Sequence, residues 1–380
     1  MIYRHTDQQL QDYFDSPAIN QSALKVIIDP NGGIEKFADE MDSLLRSNDL
    51  YYEEKKHFII GQAVDTYITQ GEEIFKNKYH YSQLKKKPSD AVKSIINMVF
   101  DTVNQSLRTD DIMPFINYKE EIYNAANEHK YSMNRAAPTD KQLKDPANAG
   151  KTDWWTEDNR WSSMKNAEEY WQSLIEASGK QVLSDNEYNI INNIILSFTT
   201  HKHTANLFKD GDNIDIVYQF PMYWQYLKKD CKGLLDMIII NHTTKKIMPI
   251  DLKTIGDYIL RFPNAVKKRR YDLQSSFYSY GLHYYLTPLA TLIGKHLMGY
   301  HISDFAFIVE STIKQGTPLI FVVDENLNKV GLEGDGRYLE GWHQGMVQYK
   351  EWKAINYSIE EKFKNTNGVV WIDADFEIIN

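Results

Sequence analysis

Hydrophobic residues recur at helical spacing through the first half of the chain. Behind Ser89, apolar residues return every three or four positions, which predicts a helix beginning there; they are Val92, Ile95, Ile96, Val99 and Val103. Further helices are predicted over 20–28, over 54–69, after Ser163 and after Ser184. We therefore expect this half to be mainly helical.

From about residue 214 onward, short runs rich in β-branched and aromatic residues replace the helical pattern. They predict strands over 214–220, 222–227, 234–240, 247–252, 305–310 and 319–323, with a turn at 241–244. Two helices are predicted among and after these strands, over 265–285 and 338–352. Together these elements predict an α/β (α+β) fold with a central mixed β-sheet flanked by helices, a helical N-terminal region and insertions.

No repeat and no Gly/Ser-rich or Pro-rich linker divides the 380 residues, so we predict a single domain that carries insertions. Its expected parts are a helical N-terminal part at 1–110, an insert or long loops at 111–170, a core at 171–325, and a C-terminal helix and tail at 326–380. Periodicity is lost over about 131–160, next to three closely spaced tryptophans: Trp154, Trp155 and Trp161.

Composition excludes several classes of protein. The single cysteine, Cys231, excludes disulfide frameworks, cysteine-rich zinc sites and iron-sulfur clusters, so a metal ion would need oxygen or imidazole ligands. No apolar run approaches the roughly 20 residues that span a bilayer, and the N-terminus lacks the apolar segment of a signal peptide. We expect a cytoplasmic protein that does not contact a membrane.

The balance of charge is acidic. Lys and Arg number 43 and Asp and Glu 52, which gives a net charge of −9. This argues against a protein coated by nucleic acid, but it leaves open a local basic channel on an acidic body.

Two aspartates and a lysine fall on two neighbouring predicted strands. Asp236 ends an apolar run, and Asp251 and Lys253 lie in the next strand, so pairing across the hairpin would bring the two carboxylates together. Period-two alternation places Asp251 and Lys253 on one face. Oxygen ligands of this kind suit Mg²⁺ or Mn²⁺. In outline this is a site for phosphodiester hydrolysis, although an Asp-x-Lys triplet by itself is common on strand edges.

The predicted helix over 265–285 carries a polar stripe at spacings of three and four residues. Its members are Lys267, Arg270, Tyr271, Gln274 and Tyr278. These side chains could hold phosphates and contact a nucleotide base, or the cations could simply be solvated.

These motifs, in this order, resemble the PD-(D/E)XK nuclease superfamily in its RecB-like branch, and most closely the exonuclease VIII (RecE) type nuclease domain. The resemblance rests on Asp236, on Asp251 with Leu252 and Lys253, and on Gln274 followed by Tyr278. It extends to three segments outside the core, Ile19–Lys25, Gly61–Asp65 and Gly179–Ser184, and spans about residues 19–323.

The resemblance implies a restriction-endonuclease-like core and a Mg²⁺-dependent deoxyribonuclease, with Mn²⁺ as a substitute. It implies an exonuclease that digests linear duplex DNA from an end, usually 5′ to 3′, in phage-type recombination or replication. It also implies a homo-oligomer that supplies a single-strand annealing recombinase. Two alternatives stay open: an endonuclease of the same fold in DNA processing or host-DNA breakdown, and a non-cleaving DNA-binding relic of the fold.

Two positions depart from the family pattern. Asp65 stands where the RecB-like pattern has His, and Gln219 stands where many members have a Glu. The bare Asp65 carboxylate would share a helix face with apolar residues, so we expect it to be a further metal ligand.

The predicted site therefore consists of three overlapping sets. The catalytic set is Asp236, Asp251, Lys253, Gln274 and Tyr278. The metal-binding set is Asp65, Asp236, Asp251 and Leu252. The DNA-binding set is Lys267, Arg270, Tyr271 and Gln274.

Overall fold

The computed structural model describes most of the chain. The described residues are 1–31, 33–46, 56–82, 84, 88–107, 111–128, 144–146, 164, 167–337, 339–354, 371–372 and 378–379. The aperiodic stretch over 131–160 and its three tryptophans lie outside them, apart from residues 144–146.

Helices predominate up to residue 200 and longer strands follow, as predicted, but three short strands in the first half were not predicted. The elements up to residue 200 are β1 (Ile2–Arg4), α1 (Asp7–Asp15), α2 (Gln21–Ile27), α3 (Gly33–Arg46), α4 (Lys56–Asp65), α5 (Glu72–Lys78), β2 (Tyr79–His80), α6 (Asp90–Ser106), α7 (Lys119–Glu128), α8 (Glu168–Ala177), β3 (Gln181–Val182) and α9 (Asp185–Thr200). The elements that follow are β4 (Ile214–Tyr226), β5 (Lys229–Asn241), β6 (Lys246–Ile255), α10 (Phe262–Arg269), α11 (Tyr271–Tyr284), α12 (Leu286–Ile293), β7 (His301–Ile302), β8 (Ala306–Ser311), β9 (Leu319–Val322), α13 (Glu325–Glu333), α14 (Trp342–Ala354), β10 (Trp371–Ile372) and β11 (Ile378–Ile379).

The chain forms two compact units, 1–75 with 189–380 and 76–188. These boundaries differ from the predicted divisions at 110, 170 and 325, and the single-domain organisation stays a prediction. In the second unit, α6, α7 and α8 pack around Trp171, whose indole meets the rings of Phe100, Phe115 and Tyr118. Ser89 accepts a hydrogen bond from the Val92 backbone N–H and caps α6, as predicted.

The first unit is built on a mixed sheet. Within the described residues it has seven strands, in the order β1-β4-β5-β6-β8-β9, with β7 also paired to β6. β4, β5 and β6 form an antiparallel meander, whereas β1 on β4 and β8 on β6 are parallel. The predicted fold class, a central mixed sheet flanked by helices, is therefore confirmed.

Apolar side chains from helices and strands form one core in this unit. Leu24 of α2, Phe37 of α3, Phe277 of α11 and Met346 of α14 pack with residues of the inner strands. The buried Trp342 indole donates a hydrogen bond to the Ser276 hydroxyl, so α14 is held against α11. This packing fixes the position of α11 relative to the sheet.

Two local predictions are wrong. The helix over 265–285 is in fact two helices, because Arg270 adopts a left-handed backbone (φ 56°, ψ 47°) that ends α10 and starts α11. The runs at 214–220 and 222–227 are one long strand, β4, rather than two. Its pairing with β5 skips Gln219, which has φ 47°, whereas Pro221, where the break was predicted, pairs with Leu234.

No helix in the described part of the chain has the length and apolarity needed to cross a membrane.

Candidate active site

Strand register brings the two aspartates of the motif together. Met237 pairs with Ile250, so Asp236 and Asp251 lie opposite each other at the next position of the hairpin. The ladder ends there, and the Leu252 backbone N–H donates instead to Asp236 Oδ2, at 2.8 Å. The carboxylate of Asp236 on β5 thus takes the place of a backbone acceptor for β6. This contact and the strand register together hold Asp236 close to Asp251.

Lys253 forms an ion pair with Asp251. Its Nζ lies 2.6 Å from Asp251 Oδ2, and only 1% of the aspartate side chain and 20% of the lysine side chain are exposed. The ammonium also lies 5.0 Å from the centre of the Tyr271 ring. Burial lowers the pKa of Lys253, but the Asp251 carboxylate outweighs this effect and raises the pKa above its usual value. Lys253 therefore stays charged at neutral pH.

The carboxylates carry more negative charge than one lysine neutralises. Burial raises the pKa of Asp236 well above its usual value, and the charges of Asp251 and Asp65 raise it further. Burial also raises the pKa of Asp251, against the opposing effect of Lys253. Carboxylates held this close repel one another, so the site favours a bound cation or proton.

The first turns of α11 hold Asp251 from the other side. Gln274 Nε2 donates to Asp251 Oδ1 at 2.5 Å, and Gln274 is buried. One turn later, Tyr278 is buried against the backbone of β5, where a Cβ on Gly233 would come within 3.0 Å of its ring. Gln274 thus contacts the motif directly, whereas Tyr278 packs behind the strand that carries Asp236.

Helix α4 adds the Asp65 carboxylate. It approaches β6 closely at Gly61, where a Cβ would lie 2.9 Å from Thr254 Oγ1, and Asp65 follows one turn later. Gln219 Nε2 donates to Asp65 Oδ2 at 3.1 Å, and Gln219 Oε1 accepts from Gln70 Nε2 at 3.1 Å. Both departures from the family pattern are therefore in direct contact, since the amide of Gln219 holds the carboxylate of Asp65.

The contact of Gln70 with Gln219 was not predicted from the sequence. It lies in a π-helical turn, Thr66–Gln70, that directly follows Asp65. π-Helical turns recur at functional sites because they change the direction of side chains within a helix. Hydrophobic periodicity gives no signal for such a turn.

A cavity of about 300 Å³ lies beside these groups. Its polar lining residues are Gln62, Asp65, Asp236, Lys253, Thr254, Arg269 and Tyr271. The carboxylate and carbonyl donors present are oxygen atoms, which match the ligand preference of Mg²⁺ and Mn²⁺. Over the described residues, however, no three His, Cys, Asp or Glu side chains converge into a ready-made metal site. The oxygen ligands present therefore suit such an ion, but they are not arranged as a complete coordination shell.

The predicted DNA-binding residues do not share one stripe, which corrects that prediction. The left-handed turn at Arg270 separates Lys267 on α10 from Tyr271 and Gln274 on α11. Arg270 donates to both oxygens of Asp272 and to the Glu340 carbonyl. The contact of the four predicted residues with DNA stays a prediction.

Lys267 lines a separate groove of about 810 Å³, whereas Arg269 lines the cavity of about 300 Å³ together with Lys253. Sequence reasoning missed Arg269, because an unbroken helix would have turned it away from the stripe.

Comparison with known proteins gives similarity to solved structures alone. No protein-family model matches the chain, and no curated protein is similar to it. One similar solved structure is described as a putative exonuclease from Eubacterium rectale, with a TM-score of 0.43 and 10% sequence identity over 97% of this chain and 95% of that one. At this TM-score and identity the similarity carries no argument about activity, so the function has to be argued from the site.

Proposed function

We propose that the chain is a metal-dependent nuclease of the PD-(D/E)XK type that hydrolyses phosphodiester bonds of DNA. The observation that supports this proposal is the convergence of Asp236, Asp251 and Lys253 at one end of the β5–β6 hairpin, beside a cavity. Two buried carboxylates next to a single ammonium leave negative charge that a divalent cation would neutralise. A surface ion pair on a strand edge would not require this burial.

The residues of the site would divide the work. Asp65, Asp236 and Asp251, with the Leu252 carbonyl, are the groups that would hold Mg²⁺ or Mn²⁺. The chemistry that such an ion supplies is acidification of a water ligand and neutralisation of phosphate oxygens. Lys253 would stabilise the negative charge that develops on the phosphate. Gln274 keeps Asp251 in position through its hydrogen bond.

The finer expectations from the resemblance belong to the same proposal. They are an exonuclease acting on linear duplex DNA from the 5′ end, a phage-type recombination role, a homo-oligomeric assembly and a single-strand annealing recombinase as partner. An endonuclease of this fold remains the nearest alternative, since the site chemistry is the same for both.

A non-cleaving DNA-binding relic is a second candidate. Two observations favour it: the Gln219 amide holds Asp65, and no ligand cluster is preformed within the described residues.

The decisive experiment compares end-labelled linear duplex DNA with covalently closed circular DNA, in Mg²⁺, in Mn²⁺ and in EDTA. Wild type is tested with Lys253→Met and Asp251→Asn, and with Asp230→Asn as the matched control. Asp230 is an exposed carboxylate at the start of the same strand as Asp236.

We expect wild type and Asp230→Asn to digest linear DNA with a divalent ion only, and both site variants to lose at least about a hundredfold in rate. Circular dichroism verifies that each variant is folded. Cleavage of the closed circle would favour the endonuclease. Absence of hydrolysis by folded wild type with either ion would contradict the nuclease proposal and favour the relic.

A further inference from the structure

A strained residue of β4 stands beside the two aspartates of the site. The strand pairs on either side of Gln219 keep one register, so Gln219 lies opposite Asp236 on β5. Gln219 is buried and adopts a left-handed backbone (φ 47°), which is uncommon for a residue with a side chain. Positions of this kind persist where the surrounding structure holds them, and they cluster at functional sites. The contacts of the Gln219 side chain are therefore the place to look for its role.

That side chain joins two residues of the segment 65–70. Gln219 Nε2 donates to Asp65 Oδ2, and Gln219 Oε1 accepts from Gln70 Nε2, both at 3.1 Å. Because Gln70 donates to the oxygen of the amide, the nitrogen of the amide faces Asp65. We call this chain of two hydrogen bonds, from Gln70 through Gln219 to Asp65, the amide relay.

The π-helical turn Thr66–Gln70 makes the relay possible. Asp65 and Gln70 are five positions apart, and in an α-helix of 3.6 residues per turn such residues point about 140° away from each other. The wider π-helical turn, with its hydrogen bonds between residues five apart, brings both side chains to the same amide. Arg4 of β1 holds the turn in place, because it donates to the Thr69 carbonyl at 2.9 Å and to the Ile68 carbonyl at 3.3 Å.

A neutral amide suits position 219 because the site already has an excess of carboxylates. Asp65 and Asp236 line the cavity with Lys253, and Asp251 pairs with that lysine. A glutamate at position 219 would add a fourth negative charge against Asp65, whereas the amide donates a hydrogen bond and adds no charge. The two oxygens of a carboxylate accept about four hydrogen bonds or metal contacts, so one bond from Gln219 leaves Asp65 able to bind a cation.

We propose that Gln219 and Gln70 are positioning residues, which orient the Asp65 carboxylate for the divalent ion that Asp236 and Asp251 bind. This inference rests on the proposed nuclease function and extends it to two residues outside the three predicted sets. Hydrogen-bond partners that orient metal ligands change metal affinity by about ten- to a hundredfold when they are replaced. The relay should therefore set how tightly the site holds the ion.

The test measures binding of Mn²⁺ alone, without DNA, from the electron paramagnetic resonance signal of the free ion. Wild type is compared with Gln219→Leu and Gln70→Leu, and Asp251→Asn shows which part of the binding belongs to the site. Gln225→Leu is the matched control, because Gln225 lies on the same strand and its amide donates to an exposed carboxylate, Asp230 Oδ1, at 3.0 Å. Thermal unfolding in EDTA verifies that each variant is folded.

Gln219→Leu should weaken Mn²⁺ binding at least about tenfold, and the affinity of Gln70→Leu should lie between those of Gln219→Leu and wild type. Gln225→Leu should match wild type. In the Asp65→Asn background, Gln219→Leu should change the affinity by less than about twofold, because its effect passes through the Asp65 carboxylate. A residue that only supports the fold would not show this dependence on Asp65.

Mn²⁺ affinity of Gln219→Leu equal to that of wild type, or a loss of equal size in the Asp65→Asn background, would overturn the relay and leave the nuclease proposal standing. Tighter binding by Gln219→Leu would overturn the relay and favour the non-cleaving relic, since the amide would then withhold Asp65 from the ion. Wild type that binds no Mn²⁺ would overturn both proposals.

Discussion

A single buried ammonium joins two helix ends to the central sheet, and its removal is the sharpest test of how the first unit is held together. Lys232 of β5 is 2% exposed, and its Nζ lies 2.7 to 3.3 Å from the carbonyl oxygens of Tyr13, Phe14, Ser16 and Leu45. The first three carbonyls belong to the C-terminal end of α1, and the fourth to the end of α3. Helix C-termini leave such carbonyls without partners and favour a nearby positive charge.

Two opposing effects set the consequence of Lys232→Met. Burial lowers the pKa of Lys232 from 10.5 to about 8, which corresponds to a cost of roughly 3 kcal/mol for burying the charge. The substitution removes that cost. It also leaves at least three buried carbonyls without a donor, at about 1–3 kcal/mol each. We expect a net destabilisation of about 3 kcal/mol, or roughly 6–12 °C in unfolding temperature for a unit of this size.

The pH dependence gives a second signature with a defined sign. Between pH 8 and 10.5 the unfolded lysine holds its proton while the folded one has lost it, so the unfolded state binds more protons and wild-type stability rises with pH. Relative to Lys232→Met, wild type should therefore gain roughly 2–3 kcal/mol between pH 8 and pH 10.

Urea denaturation of both proteins, with Lys246→Met as the exposed-lysine control, measures the difference at each pH. Equal or greater stability of Lys232→Met at pH 7 would refute the argument from the carbonyls. A difference that stays constant with pH would refute the shifted pKa.

Three further predictions concern single contacts. Gln274→Leu removes the donor to Asp251 Oδ1 and should lower kcat at least about tenfold with an unchanged fold, as measured by steady-state digestion and circular dichroism. Gly61→Ala places a methyl group 2.9 Å from Thr254 Oγ1 and should cost about 1–3 kcal/mol in urea unfolding, whereas adding Thr254→Ala should recover most of the loss. Burial raises the pKa of Asp215, but hydrogen bonds from Lys295, the Met1 amino group and His242 lower it to about 2, below the ordinary 3.8. Stability from these contacts should therefore be lost as the pH falls from about 4 to 2, by roughly 2 kcal/mol, and acid titration of Asp215→Asn should lack that loss.

Local sequence signals were reliable where neighbouring residues alone decide the structure. Asn20 caps α2 through the Ala23 backbone N–H, and Ser184 and Glu187 form the predicted capping box at the start of α9. Both depend on residues three positions apart. Alternation along a strand likewise placed Asp251 and Lys253 on one face, and the fold confirms that their side chains meet.

Other features depend on residues far apart in the chain. Arg270 adopts its left-handed conformation while its guanidinium bonds to the Glu340 carbonyl, 70 residues away. The contact of Gln219 with Asp65 joins positions 154 residues apart. A pattern within a window of a dozen residues contains no information about such partners, so the helix break and the cation that reaches the cavity were not predicted.

The sequence by itself determined the class of fold, the β5–β6 hairpin and the pair of carboxylates with a lysine at its end, because capping, alternation and strand register act over short distances. Tertiary structure alone decided that Arg269 lines the cavity, that an amide holds Asp65, and that Lys232 joins the ends of α1 and α3. The physical reason is that charge burial and hydrogen bonding of this kind depend on which distant backbone and side-chain groups the packed core brings together.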